Sequence, residues 1–380
     1  MHFRTKAIHV GNEPDAVGAV VPPIYLAATY VQPGAGEWGA FDYSRSGNPT
    51  RRAFETTLAA LESGCGALAF SSGMAAVHCV TMLLKSGDHI LAGRDLYGGS
   101  FRLFHKIIDR AGIDVTLVPT ENPEAVRAAL RPNTRLLWIE SPGNPLLTIT
   151  DIAACAEIAH RRGARLAVDN TFATPVLTRP LELGADIVMH SVTKYIGGHS
   201  DVLGGALVVR DEDLFRQLYF IQNATGGVMA PLESYLSGRG LKTLELRVRA
   251  QCQSAEAVAS FLASHPRVRR VFYPGLLSHP GHEIAKRQMS GGFGAMISFE
   301  LDADYNEAKR VVETTRLFRL AVSLGAVESL IEQPASMSHA SYDPDVRRVN
   351  GISDGLIRLS VGLEHPDDLI EDLDRALSAA

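Results

Sequence analysis

At 380 residues the chain is longer than one ordinary hydrophobic core, so a large and a smaller domain are expected. Apolar residues at 46% and charged residues at 21% exclude a disordered chain, and a formal charge of −5 offers no basic face to a nucleic acid. Cys65, Cys79, Cys155 and Cys252 form no C-x-x-C pair, which leaves no pattern for a disulfide framework or zinc site and fits a reducing compartment.

The N-terminal stretch MHFRTKAIHVGNEPD lacks the apolar core of a signal peptide. No run approaches the roughly 18 apolar residues of a membrane span, so a cytoplasmic chain is expected. Residues 1–50 hold many turn formers, among them Pro14, Pro22, Pro23, Pro33, Gly47 and Pro49, and little helical periodicity. They read as an extended arm, and a second subunit is the natural thing for it to wrap. From residue 51 helix-like and strand-like segments alternate. RRAFETTLAALES (51–63) and GMAAVHCVTMLLKSG (73–87) are helical; ALAFSS (67–72) and DHILAG (88–93) are strand-like. The apolar runs IDVTLVP, TRLLWIES, ARLAVDN, ADIVMHS and GGALVVR follow, separated by helical stretches such as PEAVRAAL and DIAACAEIAHRRG. This alternation predicts an α/β domain over 51–245 with a mostly parallel sheet covered on both faces. One long helix is expected over 240–265. Beyond it VRRVFYPG, GAMISFEL and GLIRLSVGL read as strands of a different sheet, with helices at 303–316 and 366–379, in a smaller α+β domain over 246–380.

Three strand ends carry chemistry. HSVTKYIGGHS (190–200) places Lys194 just beyond a buried strand, between Ser191, Thr193 and the glycines Gly197 and Gly198. Open α/β sheets bind ligands at that edge, although a loop lysine beside a strand end is the alternative. RLAVDNTFA ends a second buried strand at Asp169, a carboxylate that needs a cationic partner if it is buried. A lysine that can form an imine, with a carboxylate for a ring nitrogen, is the pair required by pyridoxal 5′-phosphate (PLP). A solvated turn aspartate is the plainer alternative. ALAFSSGMAAVHCV leads a strand through Ser71, Ser72 and Gly73 into a helix whose N-terminus could face a phosphate. Gly34, Gly36 and Gly39 spell G-x-G-x-x-G, but no strand precedes them and no helix follows, so a dinucleotide fold is rejected. The histidines show no metal-ligand spacing, and no metal is expected; His190 and His199, beside Lys194, are candidates for a supporting role.

These motifs, in this order, resemble the trans-sulfuration group of PLP enzymes. The likeness runs from GAVVPPIY (18–25) through YSRSGNPTR, SSGMAA, DLYGGS, ESPGNPLL, VDNTFATP, SVTKYIGGHSD and SLGAVESLIEQPASMSHAS to LIRLSVGLEHPDDLIEDLDRAL (356–377). The resemblance implies the fold type I architecture, with a seven-stranded sheet in the large domain, and homotetramers built as dimers of dimers with shared active sites. It implies that Lys194 holds PLP and moves protons, and that Asp169 meets the pyridinium nitrogen. Gly73, Met74, Ser191 and Thr193 would bind the phosphate, joined by Tyr43 and Arg45 from a neighbour's arm. Tyr97 would stack on the ring and serve as acid or base. Arg358, with Asn144 and Ser323, would hold the carboxylate of a small amino-acid substrate.

Within the group, Val322 stands where cystathionine γ-lyases and γ-synthases usually carry glutamate, and Gly99 where methionine γ-lyases typically carry cysteine. The run GISDGLIRLSVGLE is most similar to cystathionine γ-lyase. That activity is the first expectation, ahead of cystathionine β-lyase, methionine γ-lyase and cystathionine γ-synthase. A PLP reservoir or regulator without turnover would need neither Tyr97 nor the residues around Arg358, and their presence favours an enzyme.

Overall fold

The apolar runs form two sheets. The computed structural model describes residues 1–340 and 344–379. In the first sheet β1 (Gly66–Phe70), β2 (His89–Gly93), β3 (Asp114–Val118), β4 (Thr134–Glu140), β5 (Arg165–Asp169), β6 (Ile187–Ser191) and β7 (Gly205–Val209) lie in the order β1-β7-β6-β5-β4-β2-β3. Only β7 runs against its neighbours, so the C-terminal ends of β1, β4, β5 and β6 share one edge. Successive side chains alternate between two buried layers: Leu137, Ile139, Val168 and Val188 on one face, and Leu136, Trp138, Ala167 and Met189 on the other. A sheet covered on both faces in this way accounts for the nearly unbroken apolar runs.

The second sheet holds β8 (Val268–Phe272), β9 (Met296–Leu301), β10 (Arg319–Leu320), β11 (Leu330–Glu332) and β12 (Leu356–Ser360) in the order β10-β11-β12-β9-β8. Its apolar face joins the first core through the helix Leu244–Ser264, whose Val248, Ala255 and Leu262 lie in the same cluster as Ile297, Phe299 and Leu359.

Several helices differ from the sequence reading. The arm contains a helix, Phe3–His9, whose Ala7 is buried; it has no side-chain cap. The helix expected over 240–265 is Leu244–Ser264; a separate helix, Pro231–Leu241, precedes it, and the chain breaks between them at Lys242 and Thr243. The helix after β1 spans Gly73–Thr81 and stops short of residue 87. Gly34 and Glu37 close a turn within the arm, in keeping with the rejected dinucleotide motif. No helix among the described residues is long and apolar enough to cross a membrane.

Candidate active site

Strand register brings the carboxylates together. Glu140 ends β4 and Asp169 ends β5, and the two are direct neighbours in the ladder. Beside them Ser191 ends β6, and the chain turns at once through Thr193 and Lys194. All five residues line a cavity of about 600 Å³ at this sheet edge, closed from the other side by β11 and β12. A second cavity, of about 570 Å³, lies along the helices Pro49–Glu62 and Glu212–Thr225 and contains none of these groups.

Lys194 Nζ donates to Ser323 Oγ at 2.7 Å. Burial and the nearby charge of Arg358 lower the lysine's pKa to about 8, while Glu332 opposes them. Ser323 is strained, with φ at +99°, and this backbone lets its hydroxyl meet Lys194 while its carbonyl accepts Arg358 Nη2 at 3.0 Å. Arg358 Nη1 donates to Asn144 Oδ1 at 2.8 Å and lies 3.1 Å from Glu332 Oε1. Its Nε is buried with no hydrogen-bond partner among the described residues. A guanidinium has five N–H donors, so Nε and one Nη2 hydrogen remain available as a fork for a carboxylate.

Burial pushes the Asp169 carboxyl up, against hydrogen bonds from Thr171. Burial likewise raises Glu140 well above the usual range, and the charges of Asp169 and Asp95 add to the effect. Both Glu140 oxygens accept the N–H of Tyr97, at 3.0 and 2.9 Å, fixing the residue that precedes the helix Gly98–Lys106. Any side chain at Gly99 would overlap the Tyr97 ring and Met74 Sδ. Glycine therefore sets how the tyrosine lies over the cavity.

The helix Gly73–Thr81 points its N-terminus at the cavity. Ser72 Oγ accepts the Ala75 N–H at 3.1 Å, while the N–H groups of Gly73 and Met74 have no backbone partner among the described residues. A Cβ at Gly73 would lie 3.0 Å from Met189 Cε and 3.3 Å from Ser191 Cβ, so the closeness of helix and strand needs glycine. Thr193 also lines the cavity, but its hydroxyl donates to Gly204 O at 3.2 Å and accepts the Gly204 N–H at 3.0 Å. To donate to a phosphate it must turn from that carbonyl.

Tyr43 and Arg45 do not line this cavity. Arg45 Nη1 donates to Asn223 O at 2.7 Å, and both residues lie on the outer surface of the chain. His190 is placed by strand alternation on the face opposite Met189, where its Nε2 sits 2.6 Å from Glu62 Oε1. His199 Nδ1 turns to Gly197 O at 2.9 Å. Neither histidine lines the cavity.

Three charged cavity residues escaped the sequence reading: Glu140, Glu332 and Arg102. The rule that singled out Asp169, a carboxylate closing a buried strand, applies equally to Glu140. Arg102 projects from the helix Gly98–Lys106, and no ion pair or hydrogen bond ties it to another described residue.

Comparison with known proteins agrees with this geometry. A family model described as Cys/Met metabolism PLP-dependent enzyme matches residues 4–378. The chain belongs to that family. A cystathionine γ-synthase of Mycobacterium tuberculosis is 53% identical over 376 residues, 98% of this chain and 96% of that protein. A cystathionine β-lyase of Coxiella burnetii is 52% identical, covering 99% of this chain and 98% of the relative. The crystal structure of cystathionine γ-lyase from Lactobacillus plantarum, complexed with L-serine, superposes with a TM-score of 0.96 at 47% identity over 100% of this chain and 99% of that one. Its cofactor is therefore pyridoxal phosphate, and the residues present fit that group. A lysine of lowered pKa, a carboxylate whose pKa burial raises and helix N–H groups without a backbone partner among the described residues converge on one cavity.

Proposed function

We propose that the chain is a carbon–sulfur lyase that cleaves L-cystathionine by γ-elimination, giving cysteine, 2-oxobutyrate and ammonia. The observation that carries this reading is the Ser323 bridge, which holds the Lys194 amine and the Arg358 guanidinium at one end of one cavity. Arg102 supports cystathionine over methionine. A cation with no partner among the described residues, at the cavity wall, suits the second carboxylate of cystathionine, whereas the thioether end of methionine has no charge.

Pyridoxal phosphate bound at Lys194 supplies an electron sink that acidifies the hydrogen on the carbon next to the substrate nitrogen. Asp169 would hold the proton on the ring nitrogen, and Gly73, Met74 and Ser191 would bind the phosphate. Arg358 would orient the substrate by its α-carboxylate, with Asn144 fixing the guanidinium. Lys194, whose pKa of about 8 leaves a neutral fraction near neutral pH, would take the proton from Cα. A second proton must leave Cβ before the Cγ–S bond breaks, and Lys194 would remove it once it has passed on the proton taken from Cα. Tyr97 would then give a proton to the departing sulfur. Tyr43 and Arg45 would reach the phosphate of a neighbouring copy within a homotetramer, since they do not reach the cavity of their own chain.

Product analysis with L-cystathionine tests the reading. Cysteine with 2-oxobutyrate is the expected outcome. Homocysteine with pyruvate would assign β-elimination instead, and the absence of any 2-oxoacid would overturn lyase activity on this substrate.

A further inference from the structure

Glu332 and Arg358 face one another across the antiparallel pair β11 and β12. Glu332 is 1% exposed, far from the usual state of a glutamate. Its Oε1 lies 3.1 Å from Arg358 Nη1 and accepts the Ser338 hydroxyl at 2.7 Å, while Oε2 has no partner among the described residues. With Asn144 on the same nitrogen and the Ser323 carbonyl on Nη2, the guanidinium is held on every side but its Nε edge. We propose that Glu332 is a positioning residue that holds the Nε edge of Arg358 open for the substrate carboxylate and balances the guanidinium charge beside Lys194. The proposal rests on the reading of Arg358 as the carboxylate site.

Two consequences follow from the geometry. Without Glu332 the buried guanidinium loses its ion-pair partner, so the fork can turn away to find another acceptor. The charge on Glu332 also favours a proton on the Lys194 nitrogen, whereas Arg358 disfavours it. Among the described residues the other charged or titratable groups on this cavity are Tyr97 and Arg102 at the helix Gly98–Lys106, with Asp169 and Glu140 at the ends of β5 and β4; Tyr195 follows Lys194 in the chain. Removing the Glu332 charge therefore lowers the pH at which the lysine-bound nitrogen loses its proton.

The experiment uses the holoenzyme and Glu332→Gln, Glu332→Ala and Arg358→Lys. The probe is 4-(methylthio)butanoate, which carries a carboxylate and a thioether but no amine that could react. Its inhibition constant should rise on the order of tenfold in Glu332→Ala and less in Glu332→Gln, with KM for substrate rising more than kcat falls. The pH midpoint of the cofactor's visible absorbance, read without substrate, should fall in both glutamate variants. A purely structural role would reduce cofactor content and leave that midpoint in place. Wild-type inhibition and midpoint in Glu332→Gln would overturn the proposal. An unchanged inhibition constant in Arg358→Lys would instead sink the carboxylate reading beneath it. Weaker inhibition in Arg358→Lys without any change in Glu332→Ala would remove Glu332 alone. If Glu332→Ala fails to fold, Glu332→Gln decides, because it keeps an acceptor of the same shape.

Discussion

Val322 stands 62% exposed on the cavity wall, next to the strained Ser323. A glutamate there could pair with the distal ammonium of cystathionine, an interaction that methionine cannot make. Because the position is open to solvent, the pair is screened and worth less than a buried one. Val322→Glu should raise the ratio of kcat/KM for cystathionine over methionine about fivefold, the upper end expected of an exposed pair. Measuring both substrates at equal cofactor content checks this, and an unchanged ratio would mean that Val322 does not face the distal arm. Residues of this kind differ in how far the sequence reveals them. Lys194 and Asp169 were legible because each closes or follows an apolar strand, and only the functional edge of a parallel sheet puts polar groups there. Glu332 was not, since its strand has three residues and its partner arrives from a strand much later in the chain. A lone arginine in a helical stretch carries no pattern, and only the fold shows the cavity beside Arg102.

Among the elements, the helix Pro49–Glu62 shows how the arm is tied to the large sheet. Asn48 caps it, its Oδ1 accepting the N–H groups of Thr50 and Arg51 at 2.9 and 3.2 Å. The amide Nδ2 of the same side chain donates to Tyr25 O at 2.8 Å and to Tyr30 and Ser44 hydroxyls at 3.2 Å. One buried residue thus starts the helix and gathers the arm. Asn48→Ala should cost about 2–3 kcal/mol, a lost cap plus unpaired buried groups, and denaturant unfolding of the variant reads it directly. A loss within about 0.5 kcal/mol would mean that water replaces these contacts. The long apolar strands were readable because local pattern decides them, whereas this cap was not read and the helix begins two residues before the expected residue 51. The helix Gly98–Lys106 was missed because it opens on two glycines, which are poor helix formers, and takes its support from Glu140 on another strand. Phe3–His9 is too short to show a period and leans on the helix Pro49–Glu62 for its stability.

For the whole molecule the open question is what the arm covers. Val20, Leu26, Val31 and Trp38 are 87%, 76%, 98% and 74% exposed in the single chain, a concentration of apolar surface that a second copy would bury. Tyr43 and Arg45 stand on the same arm, away from their own chain's cavity. Shared sites make a prediction that no arrangement of self-contained sites can meet. Arg45→Ala should weaken retention of pyridoxal phosphate, and Lys194→Ala should abolish both the cofactor's imine absorbance and turnover. Mixed and allowed to exchange, the two variants should recover activity, because a hybrid dimer pairs the intact Lys194 of one copy with the intact arm of the other. Its second site carries both defects. Random pairing makes half the dimers hybrid with one working site of two, so recovery should approach roughly a quarter of wild type. Mass measurement shows whether hybrids form. Hybrids that form without any regain of activity would place Arg45 outside the neighbour's site and leave the exposed arm without a catalytic purpose.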